Sequence, residues 1–219
     1  MAGMLTDDEQ FQATTFHVID FETTTPRGYR PEPIEVAVIS LRVQAGQLTE
    51  TARFTGLMRP PPHAPVTPFD IDQTGITPQM VADQPPAAEV LAQLDALLAP
   101  SAPSLLVAHH APVEGGVLYD YREHCPHLSV THLLDTVRLA RTVHPDLPSH
   151  GLDALMNALA ISRPADRHRA MADVQVTVQL FRRLLHDGTQ QGQWATLQHL
   201  RKKAGYDAKA AMPHQEALF

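Results

Sequence analysis

Residues 16–22 read "FHVIDFE". Phe16, Val18, Ile19 and Phe21 are aromatic or β-branched, the side chains that suit a pleated and buried surface. Asp20 and Glu22 interrupt the end of this run. Residues two apart on a strand point to the same face. Read as a strand, the segment therefore sets two carboxylates side by side where its other residues ask for burial. Like charges that close repel, and removal from water strengthens the repulsion. A strand end running out into solvent would relieve it. So would a cation held between the carboxylates, since hard divalent ions such as Mg2+ or Mn2+ prefer carboxylate oxygens. The second solution calls for further acids elsewhere in the chain.

Outward from this strand the pattern is that of an α/β domain. "IEVAVISLRV" (34–43) reads as a second strand, Gly46 as a turn and "ETARFTGLM" (50–58) as a third strand, which predicts an antiparallel meander. The loop "RPPPHAPVTP" (59–68) has no ladder donors at its prolines. Pro85 or Pro86 opens a helix with Val90, Leu91, Leu94, Leu97 and Leu98 on one face. "PSLLVAHH" (103–110) is short and apolar, as a buried strand is, and "LSVTHLL" (128–134) reads as another. Helices are predicted at about 113–124 and 135–144. After "PSHG" the chain turns helical, over 152–160, 170–186 and 190–204. Val174, Val178, Phe181 and Leu185 form the buried stripe of the second of these. The sum is a mixed five-stranded sheet flanked by helices. This domain spans 16–205, after an N-terminal extension (1–15) and before a tail (206–219) without a period, expected to be flexible.

Composition narrows the function classes. The chain has 219 residues, enough for one well-buried domain. Its single cysteine, Cys125, excludes an internal disulfide and fits a reducing cytoplasm. The N-terminus is acidic without the apolar core of a signal peptide, and no apolar run approaches a membrane span. A formal charge of −7 argues against broad coating of nucleic acid, which needs a basic surface, but leaves room for a small site holding a strand end. "EHCPHLSVTH" offers His124, Cys125, His127 and His132 without a recognised zinc spacing.

The further acids are present. "VAHHAPVE" (107–114) places Glu114 just past a buried strand, near a helix start. "HRAMAD" (168–173) places Asp173 in the first turn of the 170–186 helix, at the edge of its apolar face, with His168 in the approach. An acid in a first turn also suits the helix dipole, so each has a structural reading as well. The order "VIDFETT", "VAHHAPVE", "HRAMAD" resembles the DEDDh 3′–5′ exonucleases, a family that includes replicase proofreading subunits and exonuclease X. The resemblance runs from about Phe16 to Leu185, and "TGITPQMV" (74–81), "LLDTVRLARTVHP" (133–145) and "SHGLDALMNAL" (149–159) follow in the family's order.

The resemblance implies a ribonuclease H-like fold and hydrolysis of phosphodiesters with two divalent metal ions, Mg2+ or Mn2+. Asp20, Glu22, Glu114 and Asp173 would hold the ions, and His168 would take the proton from the attacking water. Nucleoside 5′-monophosphates would leave DNA 3′ ends, in proofreading or repair. Thr23, Ile76 and Met80 would meet the terminal nucleotide, with ordinary loop packing as the other reading of these three. Asp135 reads either as structural or as a support to the site. Where the family has an aspartate in "HNAxFD", this chain has Glu114, with His110 for the asparagine and Val113 for the phenylalanine. The extra methylene must fold back or displace an ion, which leaves open a weakened enzyme that serves as a scaffold. An RNA 3′-end trimming enzyme is the other alternative. The last residues, "QEALF", resemble the sliding-clamp-binding peptide of bacterial replication proteins, with Gln215, Leu218 and Phe219 as its anchors. A clamp and a replicative polymerase are therefore expected partners. A tether would raise the local concentration at a 3′ end without new nucleic-acid contacts.

Overall fold

The predicted first strand forms over Thr15–Thr24 (β1). A computed structural model describes residues 4–99, 102–162, 164 and 168–212. Before β1, a 3-10 turn (Leu5–Asp7) and a short helix, α1 (Glu9–Ala13), dock Leu5 and Phe11 into the core. Asp8 caps α1 by accepting from the Phe11 amide at 3.1 Å. The meander follows as expected, with β2 (Glu32–Gln44) and β3 (Gln47–Leu57) antiparallel. Ala45 and Gly46 both take positive φ in the turn between them (49° and 77°), the twist a two-residue hairpin needs.

Among the described residues the sheet has six strands, not five. β4 (Ser104–Ala108) and β5 (Leu133–Asp135) continue it in parallel from β1. β6 is the two-residue Gly205–Tyr206, antiparallel to β5. A strand that short carries no alternation to read and exists only through its partner. Between β3 and β4 lie α2 (Pro68–Thr74), α3 (Pro78–Val81) and α4 (Ala87–Leu98). Then come α5 (Pro112–Asp120), α6 (Pro126–Val130), α7 (Thr136–Val143), α8 (Leu152–Ala158), α9 (Ala170–Gln190) and α10 (Leu197–Ala204). The strand read over 128–134 is thus half helix: Pro126 starts α6, where its missing N–H costs nothing, and only Leu133 and Leu134 of that stretch join β5. Leu97 is 57% exposed at the end of α4, so that helix buries Val90, Leu91 and Leu94 instead.

Alternation along β1 separates two cores. Phe16 and Val18 pack with Leu139 of α7 and Val174, Val178 and Phe181 of α9. Ile19 and Phe21 pack on the other face with Leu91 and Leu94 of α4 and Leu118 of α5. Period two then sends Asp20 and Glu22 to the α9 face. The ladder from β1 to β4 stops at Val18↔Val107, while β1 stays paired to β2 as far as Thr24. The acids therefore lie beyond the end of the parallel pairing, in the region where open α/β sheets bind ligands.

Packed structure continues past the expected domain end at 205. Tyr206 is in β6, Ala208 is buried and Lys209–Ala211 form a 3-10 turn. The clamp-like peptide with Gln215, Leu218 and Phe219 lies outside the described residues. No helix among the described residues is long and apolar enough to cross a membrane.

Candidate metal-holding active site

Asp20, Glu22 and Asp173 converge. Each offers a carboxylate oxygen, and the three oxygens lie within 4.8 Å of one another. Two come from adjacent same-face positions on β1, and the third from the first turn of α9, whose apolar stripe packs on that face of the sheet. Asp173 is buried, while Asp20 and Glu22 are half-buried. Three carboxylates this close fit a hard divalent cation, which cancels their mutual repulsion and prefers oxygen donors. A register shift between Glu22 and Thr23 marks a bulge at this point of β1. Bulges re-aim side chains and are common beside active sites.

His168 sits in the approach to α9, exposed and with φ at +76°. Its backbone N–H points at Asp173 Oδ1 at 3.4 Å. Glu114 is not one of the three acids whose oxygens lie within 4.8 Å of one another. It is in the first turn of α5, which packs on the opposite face of the sheet. The side chain is 3% exposed and its Oε2 has no hydrogen-bond partner. Burial pushes its carboxyl up to about 8, and the charge of Asp135 pushes the same way. A group in that state is a neutral acid at pH 7 until a cation offsets the burial. Asp135 itself is buried and caps α7, accepting from the Val137 amide at 2.8 Å. It also faces the His110 amide at 3.4 Å, across a residue held at φ +81°.

The three residues predicted to meet the substrate separate. Thr23 is half-buried beside the acids, and Met80 is half-buried on α3. Ile76 is fully buried with Ile34 and Val81, which fits the loop-packing reading of this residue rather than contact with a nucleotide. His124, Cys125, His127 and His132 form no metal-holding group among the described residues, and burial pushes the Cys125 thiol up to about 12.

Sequence reasoning missed two supports of the site. Asp70 is 1% exposed and accepts from the Thr25 amide (3.1 Å) and hydroxyl (2.8 Å), while its other oxygen takes the Thr67 amide (2.8 Å). Burial alone would raise this carboxyl; the hydrogen bonds from Thr67 and Thr25 outweigh it and hold it below its ordinary range. One side chain thus ties the end of β1 to α2. Glu35 on β2 is likewise buried and bound to Arg169 and Ala170. The available signal was a single acid inside an apolar strand, which is rare without a partner.

A family model described as exonuclease matches residues 17–181. The chain belongs to the exonuclease family. The match covers the stretch over which the sequence resembles the family, 16–185, apart from its first residue and its last four. Among curated relatives, the DNA polymerase III PolC-type of Oceanobacillus iheyensis is 31% identical over 179 residues, 81% of this chain and 12% of that protein. The DNA polymerase III PolC-type of Thermotoga maritima is 31% identical over 183 residues, 83% of this chain and 12% of its own length. This exonuclease chain therefore spans 12% of the length of these polymerases. Among solved structures, the nuclease domain of 3′hExo, a DEDDh family member bound to rAMP, superposes with a TM-score of 0.69 at 19% identity, over 83% of this chain and 96% of that one. Exonuclease X in complex with 5′ overhanging duplex DNA gives 0.57 at 24% identity, over 82% and 95%. These two likenesses establish the shared fold of the exonuclease domain, a mixed sheet flanked by helices.

Proposed function

We propose that this chain is a metal-dependent 3′–5′ exonuclease that releases nucleoside 5′-monophosphates from DNA 3′ ends in proofreading or repair. The observation that carries the reading is the convergence of Asp20, Glu22 and Asp173 within 4.8 Å. These residues would hold the divalent ions, Mg2+ or Mn2+, with Glu114 as the fourth acid. A bound pair of such ions lowers the pKa of water and stabilises the leaving oxygen of a phosphodiester. The chain's own residues do the rest. His168, exposed at the head of α9, accepts the proton of the attacking water. Thr23 and Met80 border the terminal nucleotide. The relatives named as DNA polymerases support DNA as the substrate and a polymerase as a partner.

Digestion of matched 3′-labelled single-stranded DNA, mismatched duplex and RNA under Mg2+ and Mn2+ tests the proposal. The expected result is mononucleotide release from the 3′ end, fastest on single-stranded or frayed DNA. Faster digestion of RNA would move the enzyme to RNA trimming, and absence of cleavage with both ions would overturn it. A catalytically weakened scaffold is the second reading, favoured by Glu114 standing where the resembled family carries an aspartate and by its place outside the trio. The peptide at Gln215, Leu218 and Phe219 would bind a sliding clamp in either case. Removing residues 215–219 is expected to abolish clamp binding in a titration while leaving digestion of a free oligonucleotide unchanged.

A further inference from the structure

Glu35 is the acid that the proposed chemistry does not use, although it stands beside the site. It is the Cα partner of Glu22 across the β1–β2 ladder. Acids directly opposite one another on a sheet destabilise it. Glu35 is also 3% exposed, where an uncompensated charge is costly. Its compensation comes from 134 positions away. Arg169 donates from Nε to Glu35 Oε2 at 3.0 Å and from Nη2 to Oε1 at 2.5 Å. The Ala170 amide donates to Oε2 at 3.0 Å. A two-point guanidinium–carboxylate pair fixes orientation as well as distance.

The place of this grip matters. Ala170 is the first residue of α9, and Arg169, at the capping position, makes no side-chain cap of its own. The sheet supplies the cap instead, through Glu35. On one side of the gripped pair is His168, held at φ +76°. On the other, within the same first turn, is Asp173, facing the His168 amide. The grip therefore joins the strand that pairs with Glu22 to the turn that carries the histidine and the third acid.

We infer that Glu35 and Arg169 are positioning residues of the site. They set the height and rotation of the first turn of α9 against β1, so that Asp173 and His168 meet Asp20 and Glu22. The effect on turnover rests on the proposed nuclease function; the effect on the geometry does not.

The test uses the full chain with Glu35→Gln, Arg169→Gln and Arg169→Lys, the last keeping the charge and losing the fork. Hydrogen exchange of the amides over 168–173 is measured against the rest of α9, Mn2+ binding by calorimetry without nucleic acid, and kcat and KM on a 3′-labelled oligonucleotide. Exchange over 168–173 is expected to quicken about tenfold in both glutamine variants. Turnover per folded molecule is expected to fall about 10–100-fold, the range for supports of metal ligands, with KM little changed. Mn2+ binding is expected to weaken about tenfold in both glutamine variants, because Asp173 is no longer held against Asp20 and Glu22, and unchanged Mn2+ affinity counts against the positioning role. Arg169→Lys should fall between these variants and the native chain, and it carries the test if the glutamine variants do not fold. An ion pair that only stabilises the fold would lower the melting temperature while leaving local exchange and kcat per folded molecule unchanged. Unchanged exchange over 168–173, or unchanged kcat in an active enzyme, overturns the assignment. If the native chain cleaves nothing, the nuclease proposal falls, and exchange and Mn2+ binding still decide the role of the pair.

Discussion

Asp173 and Glu114 differ in their surroundings: one lies in a cluster of three carboxylates, the other is buried outside it. Asp173 is grouped with Asp20 and Glu22, and its removal deletes a donor from the only three-acid cluster among the described residues. Losing a support of a metal ligand costs about 10–100-fold. Asp20→Ala and Asp173→Asn, which remove ligands, are expected to cost more than that in turnover, with circular dichroism and melting temperature close to native. Glu114 is the opposite case, pushed up to about 8 by burial. Its ordinary value is 4.5, so between 4.5 and about 8 the folded chain holds a proton that the unfolded chain has released. Stability without divalent ions should therefore fall as pH rises through this window. Glu114→Gln is expected to lack that fall in melts run in a chelator, and an unaltered pH slope would refute the burial account.

At the scale of elements, the long helix α9 organises the molecule. Its stripe of Val174, Val178, Phe181 and Leu185 was readable from spacing alone, and all four are buried. What closes its far end was not readable. Gly188 lies under the Trp194 indole, which folds back to donate from Nε1 to the Leu185 carbonyl at 3.3 Å. A Cβ at Gly188 would stand 2.0 Å from the ring. Alanine gains about 1 kcal/mol in helix propensity over glycine, but forcing a methyl into a filled core costs about 1–3 kcal/mol and more where the neighbour is rigid. Gly188→Ala is expected to be net destabilising by about 1–2 kcal/mol, read from the denaturation midpoint at constant m.

For the whole molecule, the sheet carries a built-in acid limit. His17 lies on the α4 face of β1, with Nδ1 2.8 Å from Ser40 Oγ on the paired strand. Burial lowers its pKa from 6.5 to about 4. As pH drops through this range the unfolded chain gains a proton that the folded chain refuses, so stability falls and then levels off below about 4. The loss amounts to about 3 kcal/mol. His17→Gln is expected to remove most of the fall in melting temperature between pH 6.5 and 4.

The sequence alone determined what is local: β1 with its two acids, the β2–β3 hairpin, and the apolar stripe and first-turn acid of α9. Period two and period 3.6 are properties of the backbone itself, and they show in a single chain. The tertiary structure alone decided that the carboxylates of Asp20, Glu22 and Asp173 meet within 4.8 Å while Glu114 is buried outside that trio. It also turned Ile76 inward, added β6 as a sixth strand and joined Glu35 to Arg169. Each of these depends on a contact between distant segments, and such contacts form only when burial of both cores offsets the entropy of closing the loops between them.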